Sequence, residues 1–304
     1  MLLLALSGCK HEQTDTIYIV YTNDVTSELK GNIGYAGVKY FKDQVLAEHQ
    51  YVTLVDAGDF YDGTIAAGGG SVYITNIMNS VGYEIVALGN QEFSIGLDAL
   101  KSNIDNADFT FLSCNLKYLG SGSDPLEKVK PYVIKKYGYT KIAFIGVTTP
   151  ETNTPGKPSY NAILQDGELL YSFYDGEDAQ DFYRQIQKTV DSVRKKVDYV
   201  IVLAHLGSNN VRQGYSSIEM IANTTGIDVV IDGHSHTPNT GEAIANKDGS
   251  MVVLTSTGQK IESVGMLEIY PDHTYFSALY YGVQGKDVSI EAACDSVYEE
   301  FGIQ

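Results

Sequence analysis

Tryptophan is absent from the 304 residues, and cysteine occurs only three times. The missing tryptophan says little about function. The cysteines have no spacing that supports a disulfide. Cys114 closes the apolar run FTFLSC and reads as a buried thiol, while Cys294 falls in a terminal helical segment. Basic residues are scarce: 21 Lys and Arg against 38 Asp and Glu leave a net charge of −17. A surface that acidic repels DNA, RNA and anionic lipid through its long-range field, which excludes nucleic-acid polymers as partners. A phosphate substrate would need local cations to overcome the same field. Internal repeats and low-complexity blocks are missing, and no window after the N-terminus approaches the ~18 apolar residues that span a bilayer. What remains is an ordinary globular composition, 43% hydrophobic and 19% charged. The length fits one large α/β domain or two small ones.

The N-terminus reads MLLLALSGCKHEQTD. Its apolar stretch ending in Leu-Ser-Gly-Cys is similar to a bacterial lipoprotein signal with Cys9 as the lipidated residue, although the basic n-region is lacking. Residues 1–16 are therefore expected to be signal and tether. The protein is expected to be extracytoplasmic, held to the membrane through the lipid alone.

Strand signals then alternate with helical ones. Helical spacing covers 36–49, 71–81 (with Ser71 as N-cap after the Gly68-Gly69-Gly70 turn), 177–196, 213–225 and 287–301. The segment 177–196 is the clearest amphipathic helix, its acidic start and basic end complementing the helix dipole. Residues 131–147 read as strand, Tyr-Gly-Tyr turn, strand, and 250–281 as strands around turns at Gly258 and Pro271-Asp272. Alternating strands and helices predict mostly parallel pairing. The expected architecture is α/β, two sheets packed face to face with helices outside. Residues 148–176, rich in Thr, Pro, Gly and Tyr, are the longest irregular stretch and suit the border of a cleft.

Five apolar, β-branched runs each stop at a metal-binding residue type. IYIVYT leads into Asn23-Asp24, YVTLVDAG into Asp59, EIVALG into Asn90, YVIVLA into His205, and DVVIDG into His234-Ser235-His236. Open α/β sheets bind ligands just beyond the carboxyl ends of their strands. One Asp after a strand is usually a cap or turn residue. Five oxygen or imidazole endings in one chain point instead to a polynuclear metal site. Aspartate and asparagine are hard donors and imidazole suits first-row metals. Asp59 can bridge two cations. His234 and His236, two apart, point to the same side if their loop is extended. Two cations about 3.5–4 Å apart stabilise in-line attack on phosphorus.

These segments also resemble a known family. TND at 22–24, AGDFYDGT at 57–64, GNQEF at 89–93, AHLG at 204–207 and DGHSH at 232–236 are similar to the calcineurin-like metallophosphoesterases. More narrowly they resemble the catalytic domain of bacterial 5′-nucleotidases and UDP-sugar hydrolases, as do MNSVGYE at 78–84 and GVTTPET at 146–152. The resemblance runs from about residue 17 to 285 and implies the metallophosphatase fold, a four-layer sandwich of two mixed β-sheets flanked by helices. It implies hydrolysis of phosphate esters such as nucleotides, with one or two divalent ions (Mn, Zn, Mg or Ca). Asp24, Asp59 and His236 would hold the first ion. Asp59, Asn90, His205 and His234 would hold the second.

The chain departs from the family pattern at three positions. Thr26 stands where the first loop carries His, Gln91 where the third loop carries His beside Asn90, and Ser94 where a catalytic Asp follows. The second metal keeps every ligand, whereas the first loses an imidazole and would shift toward harder ions such as Mn²⁺, Mg²⁺ or Ca²⁺. A positioned acid–base group contributes roughly 10²- to 10⁴-fold, so weakened or altered turnover is expected. The alternative is an inactive surface protein that binds metal and phosphate or nucleotide and acts with a partner chain. Glu28 and Glu92 are expected to be solvent-exposed. Two-domain relatives carry a C-terminal nucleoside-binding domain. This sequence stops where that domain would begin, after a helical segment at 286–304, so nucleoside recognition is expected from a separate chain, from 148–176, or not at all.

Overall fold

The structure is a computed structural model that describes residues 15–176, 178–208 and 213–303. The expected lipidation site at Cys9 lies outside the described residues. No described helix is long and apolar enough to cross a membrane.

Two six-stranded sheets organise the chain. The first contains β1 (Ile17–Thr22), β2 (Tyr51–Asp56), β3 (Ile85–Ala87) and β4 (Thr110–Leu112), all parallel. The second contains β5 (Tyr132–Tyr137), β6 (Thr140–Thr148), β7 (Tyr199–His205), β8 (Val229–Asp232), β9 (Pro238–Ala245) and β10 (Met251–Thr257), in the order β9-β10-β8-β7-β6-β5. The chain then returns to the first sheet as β11 (Val264–Ile269) and β12 (Tyr275–Tyr280), giving β12-β11-β1-β2-β3-β4. Both sheets are mixed: β6, β7, β8 and β10 run parallel, while β5, β9, β11 and β12 form antiparallel pairs.

The helices are α1 (Gly34–Glu48), α2 (Ser71–Val81), α3 (Gln91–Ser94), α4 (Leu97–Asn106), α5 (Pro158–Ala162), α6 (Gln180–Arg194), α7 (Ser217–Asn223) and α8 (Val288–Glu300). Successive strand residues face opposite sides, and the burial follows that period. Ile17, Ile19 and Tyr21 of β1 meet Ile201 and Leu203 of β7 in a core between the sheets. Val20 turns outward to a core that includes Val38, Ile74, Leu100 and Ile290 of the flanking helices. Val200, Val202 and Ala204 turn the other way, toward Phe182, Ile186 and Ile221. Three apolar seams thus separate four layers, as expected from the sequence.

Several local expectations are corrected. Ser71 is the first residue of α2 rather than its cap, because residues 66–70 already coil as a wide turn and Gly70 takes the cap position. The segment 213–225 is helical only over α7, where Ser216 and Glu219 form a reciprocal capping box. Gly258 is no hairpin turn: β10 and β11 lie in different sheets, so the chain crosses the sandwich there. The Pro271-Asp272 turn does join an antiparallel pair. β9 went unread because PNTGEAIA is a mostly exposed edge strand with no apolar alternation.

Among the close contacts between the sheets, two stand out. Tyr21 Oη reaches Thr255 Oγ1 of β10 at 2.5 Å and Ser277 Oγ of β12 at 2.9 Å. Gly146 of β6 lies against the Leu112 backbone, where an added Cβ would come within 2.4 Å of the Leu112 carbonyl. Backbone on both sides leaves no room to relax, so Gly146→Ala is expected to cost about 1–3 kcal/mol in urea unfolding. Gly282→Ala, with open space around it, is expected to stay within about 0.5 kcal/mol of the parent. Equal midpoints for the two variants would contradict this contact.

Candidate metal centre

The ends of β1, β2, β3, β7 and β8 meet at one edge of the sandwich. The loops are tied backbone to backbone: Asp24 N donates to Gly58 O (2.9 Å), Ala57 N to Thr22 O (3.0 Å), and Gly207 N to Gly233 O (2.9 Å). Asp24, Asp59 and His205 are buried. Asp59, His205 and His234 each offer a ligand atom, and these atoms lie within 4.8 Å of one another. The three come from β2, β7 and β8, so both sheets contribute.

His205 is held by its outer nitrogen. Its Nδ1 lies 2.8 Å from Ala57 O. A carbonyl only accepts, so Nδ1 carries the hydrogen and Nε2 is turned into the cluster. Nε2 lies 3.0 Å from Asp59 Oδ2 and 3.7 Å from Asp24 Oδ1, yet makes no directed hydrogen bond. Burial opposes a charge on His205, but the Asp59 and Asp24 carboxylates outweigh it and raise the imidazole well above its ordinary pKa. Burial likewise pushes Asp59 upward, and His205 overrides it and holds the carboxyl low.

Asp24 is fixed on three sides. Its Oδ2 accepts the His234 backbone N–H (2.8 Å) and the Asn23 amide (2.7 Å), and His236 Nε2 lies 3.4 Å from Oδ1. Asn23 is a brace: its Oδ1 accepts from Thr257 N and Thr257 Oγ1, both at 2.7 Å, tying β1 to the end of β10. The loop of His234 and His236 is not extended. Both residues have positive φ (78° and 53°). His234 turns toward Glu151 and lies 5.1 Å from the His205 ring centroid, while half-exposed His236 turns toward Asp24. Asp24 and Asp59 also hold positive φ (49° and 61°). Such strain persists where the surroundings over-determine it.

Asn90 occupies the cap position of α3, and its buried Oδ1 has no hydrogen-bond partner. Thr26 Oγ1 is also buried without one. Gly89 permits the approach of the third loop, since a Cβ there would lie 2.2 Å from Asp59 Oδ1. Gln91 N donates to that same Oδ1 (2.8 Å), and Ser94 Oγ donates to Gln91 Oε1 (2.8 Å). Every site residue read from the described sequence therefore stands at this edge.

Glu92 corrects the expectation of exposure: it is fully buried. Oε2 accepts from Asp59 N (2.9 Å) and Gly89 N (2.7 Å), and Oε1 from Phe60 N (2.9 Å) and Tyr61 N (3.1 Å). One carboxylate thus stitches the second loop to the third. Burial and the neighbouring Asp59 push its pKa up to about 7, while the backbone N–H groups pull it down. Asp232 was missed as well: buried, it accepts from Leu206 N and Gly207 N at 3.2 and 3.3 Å, and burial raises its pKa to about 6. Glu28 is half-buried and accepts from Tyr298 Oη at 2.9 Å.

The donor set fits a divalent cation. Buried carboxylates crowd one edge, and Asn90 Oδ1, His205 Nε2 and Thr26 Oγ1 are buried there without hydrogen-bond partners. Buried polar atoms are normally satisfied, and a cation answers both the charge and the orphaned acceptors.

The chain is similar to several known proteins. Residues 52–262 match the family model of the bacterial capsule synthesis protein PGA_cap. A snake venom 5′-nucleotidase from Naja atra is 32% identical over 239 residues, covering 72% of this chain and 41% of that protein. The 5′-nucleotidase precursor of Thermus thermophilus superposes with a TM-score of 0.78 at 22% identity, over 94% of this chain and 59% of that one. The calcineurin-like phosphoesterase YfkN of Bacillus subtilis gives 0.73 at 19% identity, over 95% and 98%. The chain spans 37% to 47% of the length of the curated 5′-nucleotidases it matches.

Glu92→Gln would set an amide NH₂ against two of the four backbone donors. Each buried N–H that loses its acceptor costs about 1–3 kcal/mol. Urea unfolding of this variant is expected to show a loss of at least about 2 kcal/mol. An unchanged midpoint would mean that the carboxylate does not hold the loops.

Proposed function

The chain belongs to the metallophosphoesterase-like family matched by that capsule-synthesis model, alongside the calcineurin-like phosphoesterases and 5′-nucleotidase N-terminal domains, and from that premise we propose that it is a metal-dependent phosphoesterase acting on phosphate esters such as nucleotides. The observation that carries the reading is the convergence of Asp59, His205 and His234 from three strand ends. Asn90, with its unpartnered Oδ1, completes the set for one ion. Asp24 and His236, sharing Asp59, form a second set poorer in imidazole. When bound, a divalent cation there would supply Lewis-acid polarisation of a phosphoryl oxygen and a more acidic water.

The chain's own groups do the rest. Gln91 is anchored by its backbone N–H to Asp59, and its amide oxygen accepts from Ser94. Its NH₂ is left as a neutral donor toward substrate oxygens. Glutamine can donate but cannot titrate or carry positive charge. This pair would therefore orient a phosphate while supplying no proton to the leaving group, which is the chemical basis for weakened turnover. Residues 17–285 are proposed as the catalytic unit, placed outside the cytoplasm by a lipid on Cys9. A separate nucleotide-binding chain would complete nucleoside recognition. If turnover is nil with metal bound, the same geometry describes a phosphate-binding pseudoenzyme.

The test is phosphatase assay of the purified chain on AMP and on a chromogenic aryl phosphate, with Mn²⁺, Zn²⁺, Mg²⁺ and Ca²⁺ in turn. His205→Ala is expected to abolish both turnover and the stabilisation that a bound cation gives by mass action in thermal melts. No bound metal by elemental analysis, with His205→Ala behaving like the parent, would refute the metal reading. The double variant Gln91→His with Ser94→Asp is expected to raise kcat on AMP by roughly 10²- to 10⁴-fold. It should also introduce a histidine-like limb into the pH profile.

A further inference from the structure

Strand β6 runs parallel to β7, with Thr148 opposite His205. Beyond it the chain makes one 3₁₀ turn over Pro150–Asn153, and the Thr149 hydroxyl accepts the Glu151 N–H at 3.2 Å. That cap sets Glu151 just past the strand end, at the start of the irregular 148–176 stretch. Its carboxylate reaches across to the end of β8, where Oε2 lies 2.8 Å from His234 Nε2. Its other oxygen lies 3.3 Å from Lys157 Nζ, which holds the carboxylate from the opposite side. The pair is sheltered, with side-chain exposures of 11% for His234 and 25% for Glu151.

His234 is therefore gripped at both ends. Its backbone N–H is bound by Asp24, and its ring nitrogen Nε2 by Glu151. A carboxylate only accepts, so the ring hydrogen belongs on Nε2 and the lone pair on Nδ1. His205 is fixed the other way round: its Nδ1 is committed to Ala57 O and its Nε2 is turned inward. Two imidazoles of one cluster thus present opposite nitrogens, each chosen by an outer acceptor.

We propose that Glu151 is the positioning residue of the centre, fixing the tautomer and orientation of His234 so that Nδ1 is its metal-binding atom. This role rests on the metal-dependent reading above and adds a residue to it from outside the ligand set. Outer partners of this kind change metal affinity by roughly 10- to 100-fold when removed.

Two measurements test it. Imidazole ¹⁵N NMR of the metal-free protein near pH 8 is expected to show His234 as the Nε2–H form. That preference should be lost in Glu151→Ala. Mn²⁺ titration by calorimetry is expected to show Glu151→Ala binding roughly 10- to 100-fold more weakly than the parent. Glu151→Gln, which still accepts through its amide oxygen, should recover most of the affinity. An Nδ1–H form in the parent, or Glu151→Ala binding Mn²⁺ as tightly as the parent, would overturn the role. A parent that binds no Mn²⁺ would overturn the metal reading and this role together. A wrong tautomer beside normal Mn²⁺ binding would overturn this role alone.

Discussion

The contact between Asp59 and His205 is the interaction on which the rest of the centre depends. The two residues come from different sheets, are both buried, and lie 3.0 Å apart. Removing two charges from water costs several kcal/mol per ion, and only good geometry and further bonds offset it. The structure supplies those bonds: Ala57 O and the Asp24 carboxylate on His205, and the Gln91 N–H on Asp59. Breaking the alignment of the two sheets would leave each charge buried and alone. The apolar seam between the sheets, built on Ile19, Tyr21, Ile201 and Leu203, therefore sets the site as much as it sets the fold.

The loops around that contact carry strain. Asp24, Asp59, His234 and His236 all hold positive φ, a conformation that costs of order 1 kcal/mol or more per residue. Four such residues are a large fraction of a typical total stability of about 5–15 kcal/mol. Glu92 is the main counterweight, since one buried side chain accepts four backbone N–H groups from two loops. Asn23 and Asp232 do the same work at the β1–β10 and β7–β8 ends. The cluster is thus a set of strained residues held in place by buried polar groups.

The five strand endings were legible because parallel strands buried on both faces read as continuous apolar runs. The chemistry-bearing residue then follows where each run stops. Glu92 was misread because nothing local marks a carboxylate as buried; its acceptor role depends on N–H groups about thirty residues upstream. The period-two rule applied to the histidine pair assumes an extended loop, and left-handed φ at both residues removes that premise. The edge strand β9 escaped notice for a third reason: its pairing is made by backbone groups, and its side chains face solvent.

The sequence by itself determined the fold class, the buried strand segments and the type of donor at each strand end, because burial and backbone sterics act over a few residues at a time. Only the tertiary structure decided which donors share a site. Asp24 meets the His234 backbone across 210 positions of chain, and His205 meets Ala57 across 148. No local pattern encodes such pairings, because they exist only when two sheets close face to face with their strand ends at one edge.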